Sequence, residues 1–302
     1  MTVASAPLEP ARALAPAARS WTDRSWTSSD GLKLHFRDYP GRADRPPLLC
    51  LPGLTRNARD FADLAERLAG DWRVICPDLR GRGDSAYAKD PASYNPLQYT
   101  GDLEQLLAQH EIERFVCIGT SLGGLLTMLL AIRAPERIAG ALLNDVGPEL
   151  DPAGIARIRD YVGQGRSFPT WMHAARAVEE SQAIAFPQYE ASDWLSMAKR
   201  VMVLGGNGRI VFDYDMKIAD AFGPPQSEAQ VDLWPALLAL SGKPVALLRG
   251  ELSDVLTADV QHRMAQCLPG ADAVTVARVG HAPMLDEPEA LAALDRLLAR
   301  IQ

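Results

Sequence analysis

The sequence has few cysteines, and neither these nor its histidines are spaced as metal ligands. Among 302 residues there are four cysteines and five histidines, with no Cys-x-x-Cys pair and no His-Glu-x-x-His spacing. Cys50, Cys76 and Cys117 fall within apolar stretches, where a free thiol behaves as a small hydrophobic side chain. We therefore expect neither a metal site nor a cofactor.

Long apolar runs and an excess of positive charge are also missing. No stretch of about 18 apolar residues runs without charges, so no membrane span is predicted. The net charge of −7 argues against nucleic-acid partners and anionic membranes, which attract basic proteins. Residues 1–20 are rich in alanine and proline and lack the basic start and apolar stretch of a secretory signal. We interpret them as a disordered tail and expect a cytoplasmic location and a small-molecule partner; the oligomeric state stays open.

What the chain does contain is an alternation of short apolar stretches with longer segments of helical periodicity. Apolar residues every three or four positions predict helices at 58–68, 97–110, 122–134, 258–267 and 288–301. Short apolar stretches predict strands at 32–37, 47–51, 73–76, 115–119, 138–144, 244–249 and 273–277. Strands that are apolar throughout are typical of a parallel sheet covered on both faces. The pattern predicts an α/β fold, with a mostly parallel central sheet flanked by helices on both faces.

The alternation stops between residues 148 and 232, a segment with many aromatic residues and helical patches. We interpret 148–232 as a helical cap inserted into a core formed by 21–147 and 233–302. Aromatic residues in such a cap first of all form its own core, but some should line a pocket. Trp171, His173 and Trp194 are our candidates for substrate contacts, and they favour an apolar or aromatic substrate.

One serine lies between glycines directly after a predicted strand, where the sequence reads GTSLGG at 119–124. A strand–Gly-x-Ser-x-Gly–helix arrangement presents a nucleophile on a sharp turn, and the glycines leave room for that turn. The N-terminus of the following helix favours developing negative charge. We predict Ser121 as the nucleophile; the alternative is a serine that only caps the helix.

A serine hydroxyl needs a base to become a good nucleophile. His281 follows the predicted strand 273–277 in a short loop that reads VGHAP, which leaves room for a mobile imidazole. The other four histidines fall in predicted strands or helices or in the cap. The sequence therefore predicts His281 as the base that accepts the Ser121 proton.

The imidazole in turn needs a carboxylate that fixes its tautomer and stabilises its charged form. Asp254 follows the predicted strand 244–249, and loops at the carboxyl ends of parallel strands are where sites on such sheets assemble. Asp145 ends the strand 138–144 in the same way, and Glu251 is a third candidate. We favour Asp254 and leave the other two open.

The candidate nucleophile, acid and base follow one another along the chain as Ser121, Asp254 and His281. With its residues in this order, the sequence resembles the α/β-hydrolase superfamily. The resemblance runs from the first strand to the final helix and includes the stretches LPGL at 51–54, PDLRGRGDS at 77–85 and VGH at 279–281. It implies the α/β-hydrolase fold, with 148–232 as the family's cap. It also implies that the backbone amides of Leu54 and Leu122 form an oxyanion hole, although this chain has Pro-Gly where many relatives have His-Gly.

Arg56 lies two residues past the predicted oxyanion-hole residue Leu54. It could meet an anionic group of the substrate. A solvated arginine or an ion pair with the cap is an equally good interpretation, and the sequence does not choose between them.

The sequence thus predicts a serine hydrolase that cleaves a small carboxylic ester or lactone through an acyl-enzyme intermediate. The same triad also serves carbon–carbon bond hydrolases and cofactor-free perhydrolases, and motifs do not separate these because the pocket decides the substrate. A non-catalytic small-molecule receptor with the same fold is a third alternative.

Overall fold

The computed structural model of the chain describes residues 20–221 and 231–301. The predicted tail at 1–20 therefore lies, apart from Ser20, outside the described residues, and so do 222–230 of the predicted cap. Within the two described ranges, no helix has both the length and the apolar character that crossing a bilayer requires.

Eight of the described strands form one sheet in the order β1-β2-β4-β3-β5-β6-β10-β11. The strands β1 and β2 and the strands β2 and β4 pair antiparallel, and the other five neighbouring pairs are parallel. The predicted mostly parallel sheet is thus confirmed. Its strands are β1 Thr22–Thr27, β2 Lys33–Tyr39, β3 Leu48–Leu51, β4 Val74–Pro77, β5 Phe115–Thr120, β6 Ile138–Asn144, β10 Val245–Gly250 and β11 Asp272–Val276.

The strand β1 was not predicted, and its position explains why. It is the edge of the sheet, and Trp26 is the single buried residue among its six. The central strands β3, β4 and β6 are instead buried at every residue. Apolar runs therefore mark the centre of a parallel sheet well and its edges poorly.

Helices cover both faces of this sheet. Alternate residues of β3 enter two hydrophobic clusters, with Leu49 in the first and Leu48 in the second, because successive side chains of a strand point to opposite faces. The first cluster includes residues of α2, α3, α8 and α9, and the second includes residues of α1 and α10. These helices are α1 Ala62–Leu68, α2 Pro96–Gln109, α3 Leu122–Arg133, α8 Trp234–Leu238, α9 Ala258–Cys267 and α10 Pro288–Ala299.

The described part of the predicted cap is not entirely helical. Between its helices, three short strands form an antiparallel sheet in the order β7-β9-β8, and a third hydrophobic cluster joins these strands to α5 and α6. Strands of two or three residues are too short to show a period of their own, so the sequence did not reveal them. The elements are α4 Pro152–Tyr161, β7 Ser167–Phe168, α5 Trp171–Gln182, α6 Ala191–Val201, β8 Met202–Leu204, β9 Ile210–Phe212 and α7 Ile218–Ala221.

Candidate active site

Ser121 lies on a strained turn between β5 and α3. Its backbone has φ 52° and ψ −115°, a conformation that residues with side chains rarely adopt. The turn is possible because its neighbours are glycines: a Cβ on Gly123 would lie 1.9 Å from the Leu51 carbonyl oxygen, and one on Gly119 would lie 2.4 Å from the Gly123 carbonyl oxygen. The predicted turn is present, and it brings Ser121 to the wall of a pocket.

The His281 imidazole connects this serine to a carboxylate. Its Nε2 lies 2.9 Å from Ser121 Oγ, and its Nδ1 lies 2.7 Å from Asp145 Oδ2. A carboxylate accepts and does not donate, so this geometry requires the imidazole proton on Nδ1. The Nε2 lone pair is then free to accept the Ser121 hydroxyl proton.

Asp145 directly follows β6 and is held in place on several sides. Its Oδ1 accepts a hydrogen bond from the Gly250 amide at 2.9 Å, and its Oδ2 accepts one from Ser253 Oγ at 2.6 Å. The residue has a φ of 57°, which aspartate tolerates better than most residues. Its side chain is 0% exposed, so these hydrogen bonds and the facing imidazole replace water around a buried charge.

The structure corrects the predicted contact between Asp254 and His281. Arg157 on α4 holds the Asp254 carboxylate, with Nε 2.5 Å from Oδ2 and Nη2 2.8 Å from Oδ1. This hydrogen bond holds the pKa of Asp254 below its ordinary value. The third candidate, Glu251, accepts a hydrogen bond from the Arg278 amide. Of the three candidates, it is Asp145 that meets the imidazole.

The amides predicted to form an oxyanion hole come from two separate segments of the chain. Leu122 is the first residue of α3, and Leu54 follows β3 and lines the pocket. Within the described ranges, neither amide donates a hydrogen bond to another protein group. Arg82, from the PDLRGRGDS stretch, donates from Nε to the Leu54 carbonyl at 2.8 Å. That contact fixes the loop that carries the Leu54 amide.

The pocket over Ser121 has a volume of about 140 Å³. Part of its lining comes from the predicted core, and the rest, which we call the roof, comes from α4, α5, α6 and β9 of the predicted cap and from the segments next to them. The roof contributes aromatic side chains, which sequence analysis did not assign to the pocket: Tyr161, Phe186, Phe212 and Tyr214.

The four candidates for substrate contacts have different positions. Arg56 lines the pocket, whereas Trp171, His173 and Trp194 are not among its lining residues. Trp194 is 3% exposed within the cap's own core, and Trp171 packs against that core. His173 is exposed, and its Nδ1 lies 2.9 Å from the Thr170 hydroxyl. A helical aromatic pattern marks a buried face, but it does not tell a cap's core from its pocket side.

One group of side chains in the described residues has the donor atoms for a metal: His35, Asp78 and Asp84, whose ligand atoms lie within 4.8 Å of one another. The Asp78 carboxylate already accepts hydrogen bonds from the amides of Ala58 and Asp84 and faces His35 Nδ1 at 2.7 Å. None of the three residues lines the pocket. These contacts hold the PDLRGRGDS stretch in place.

Comparison with known proteins gives the same fold. The model of a family described as "Alpha/beta hydrolase family" matches residues 48–294. The chain belongs to the alpha/beta hydrolase family. This alpha/beta hydrolase is 33% identical over 267 residues to a protein of Cupriavidus necator named 3-hydroxybutyrate-oligomer hydrolase, over 86% of this chain and 90% of that one.

Two further similarities bear on this alpha/beta hydrolase. The crystal structure of an alpha/beta hydrolase from Novosphingobium aromaticivorans is 63% identical, with a TM-score of 0.91 over 94% of this chain and all of that one. A Bacillus subtilis protein named putative 2-succinyl-6-hydroxy-2,4-cyclohexadiene-1-carboxylate synthase is 24% identical over 87% of this chain and 93% of its own length. The resemblance inferred from the motifs is thus confirmed, and the family and the names of its relatives support hydrolase activity.

Proposed function

We propose that this alpha/beta hydrolase cleaves carboxylic esters through an acyl-enzyme intermediate formed on Ser121. The observation that carries the proposal is the pair of contacts made by His281, 2.9 Å to Ser121 Oγ and 2.7 Å to Asp145 Oδ2. A nucleophile within reach of a base, and a base held by a third group, form the arrangement that activates a serine.

In the first half of the reaction, Ser121 Oγ attacks the ester carbonyl carbon while His281 Nε2 accepts the hydroxyl proton. The carbonyl oxygen becomes an oxyanion, which the amides of Leu54 and Leu122 bind with preorganised hydrogen bonds. The protonated imidazole, stabilised by the buried Asp145 carboxylate, then gives its proton to the departing alcohol.

In the second half, water attacks the Ser121 ester. His281 takes a proton from this water and returns it to Ser121 Oγ as the acid leaves. No step needs a group beyond these residues and water. The mechanism applies equally to open-chain esters and to lactones, where the departing alcohol stays attached to the acyl chain.

The substrate that we favour is a short ester of a hydroxy acid, such as an oligomer of 3-hydroxybutyrate. Its support is the relative of that name, which aligns with nearly the whole chain. We further expect a small molecule with apolar character, since the pocket roof includes four aromatic side chains.

A phosphonate probe tests the proposal directly. We expect a p-nitrophenyl phosphonate to form one stoichiometric adduct on Ser121, located by peptide mass spectrometry. Ser121→Ala should lose the adduct and the hydrolysis of both p-nitrophenyl butyrate and 3-hydroxybutyrate dimer. An adduct elsewhere, or a Ser121→Ala protein that keeps turnover, would overturn the assignment.

Measurements on the native protein distinguish the proposed ester hydrolase from the alternative functions. Cleavage of a vinylogous 1,5-diketone faster than that of any ester in a panel of graded chain length would favour a carbon–carbon bond hydrolase. Tight binding of an ester without release of acid would favour a receptor.

A further inference from the structure

Arg56 is the cationic side chain that lies beside the serine. A Cβ on Gly53 would lie 3.4 Å from Arg56 Cγ and 3.9 Å from Ser121 Cβ. Because Gly53 has no side chain, it places no side-chain atoms between Arg56 and Ser121. The guanidinium is part of the pocket wall, and its side chain is 21% exposed.

Only part of this guanidinium is used by the protein. Asp60 Oδ2 accepts from Nε at 2.6 Å, and Nη2 reaches the weakly accepting Met284 sulfur at 3.7 Å. Within the described residues, Nη1 donates to no protein group. A guanidinium presents five N–H donors in a planar fork that matches a carboxylate, so donors remain for a ligand.

The charges of the pocket also favour an anion there. Apart from His281, the charged residues that line the pocket within the described part of the chain are Arg56, Asp60 and Arg166. The lining thus has two guanidinium groups and one carboxylate, and the second guanidinium, that of Arg166, is itself paired with Glu180. Burial works against the charge of Arg56, but the Asp60 carboxylate outweighs it and keeps the pKa of Arg56 above its ordinary value.

We infer that Arg56 is a binding site for a carboxylate of the substrate, so that the preferred ester carries one free carboxylate group. The inference rests on the proposed function and narrows it. An oligomer of a hydroxy acid has the required form, since one of its ends is a free acid. A neutral ester of the same length would leave the available Arg56 donors without a carboxylate partner in the pocket.

The test compares the dimer of 3-hydroxybutyrate with its primary amide, which has the same single ester bond and lacks the negative charge. We expect the native enzyme to prefer the free acid in kcat/KM, and Arg56→Met to lower this preference about ten- to hundredfold, the value of one charge-assisted hydrogen bond. Arg56→Lys should retain part of it. Because the preference is a ratio measured on one preparation, a fraction of unfolded protein cancels.

Two other arginines give the matched controls. Arg176→Met removes an exposed charge on α5, outside the pocket, and should leave the preference unchanged. Arg166→Met removes the other guanidinium of the pocket, which pairs with Glu180 at 3.3 Å. If Arg166→Met abolishes the preference and Arg56→Met does not, the inference is wrong.

A binding measurement separates this inference from the proposed mechanism. Calorimetric titration of the Ser121→Ala protein with butyrate and with butanol should show tighter binding of the acid, and Arg56→Met in the same background should remove the difference. If Ser121 labels and turns over esters, yet acid and alcohol bind alike, the proposed function stands and the carboxylate site fails. Equal losses for both dimer substrates in Arg56→Met would show a merely structural role.

Discussion

The turn after β6 and the loop after β10 lie side by side at one edge of the sheet, and each offers an aspartate. Asp145 on the turn is fully buried and meets His281. Asp254 on the loop has a 35% exposed carboxylate and pairs with Arg157 of the cap. The same residue type thus completes the candidate triad in one place and ties the cap to the core in the other.

The difference between the two positions comes from what surrounds them. The Asp145 carboxylate has hydrogen-bond donors from the neighbouring loop, Gly250 N–H and Ser253 Oγ–H, as well as the imidazole. Asp254 follows Ser253 by one residue, and that one step turns its side chain toward α4. A Cβ on Gly154 of α4 would lie 2.2 Å from the Asp254 carbonyl oxygen, so the helix packs directly on this loop.

The largest effect should come from Asp145→Asn. An amide cannot hold the imidazolium as a carboxylate does, and its NH2 group favours the wrong imidazole tautomer, so we expect kcat to fall by about 10³- to 10⁴-fold. Steady-state hydrolysis of p-nitrophenyl butyrate measures the loss. Circular dichroism should show that the variant is folded. A fall of less than tenfold would mean that Asp145 does not support His281 during turnover.

A carboxylate at position 253, on the loop after β10, should recover part of the activity that Asp145→Asn loses. Ser253 Oγ lies 2.6 Å from the Asp145 oxygen that His281 contacts, so a carboxylate at 253 would come close to Nδ1. We expect Asp145→Asn with Ser253→Asp to exceed Asp145→Asn alone about tenfold in kcat, because a correctly placed charge repays part of the buried imidazolium's cost.

The matched control for this rescue frees the aspartate that is already on the loop. Asp145→Asn with Arg157→Gln removes the partner of Asp254 but leaves its backbone where it is. We expect no recovery. If this second combination restores activity and the Ser253 variant does not, then the ion pair with Arg157, and not the position of the loop, keeps Asp254 from His281.

The sequence was sufficient to predict the fold and two of the three groups that meet in the candidate triad. Continuous apolar strands report burial on both faces, and the glycines around Ser121 report a turn that larger residues cannot make. These signals are local, so they can be read from neighbouring positions. The edge strand β1, with one buried residue in six, has no comparable signal.

The choice between Asp145 and Asp254 could not be made in this way. Both residues follow a strand, and β6 and β10 are neighbours in the sheet. The positions of the strands therefore predict a place near His281 equally well for either aspartate. The choice depends on which side chains the loop after β10 turns inward and on an arginine 97 residues away. The pocket-facing aromatics of the cap were missed for the same reason, because contacts between distant segments decide which face lines the cavity.

The smallest effect, and the one that completes the comparison, should come from Asp254→Asn. Since Asp254 touches neither Ser121 nor His281, kcat should change little, while the free energy of unfolding at neutral pH should fall by less than about 1 kcal/mol, because the carboxylate is partly exposed and screened.

This loss should depend on pH in a way that identifies the ion pair. Arg157 holds the pKa of folded Asp254 below its ordinary value of 3.8, so the pair stabilises the fold above that pH and loses its effect as pH falls through the lower, folded-state pKa. Urea unfolding of the native and Asp254→Asn proteins should therefore give different free energies at pH 7, and the two values should converge as the pH falls below 3.8. A difference that persists at low pH would mean that packing of the loop against α4, rather than charge, is what Asp254 contributes.

A loss of kcat in Asp254→Asn as large as that in Asp145→Asn would show instead that the loop after β10 supplies the catalytic acid, and the comparison drawn from the structure would be reversed.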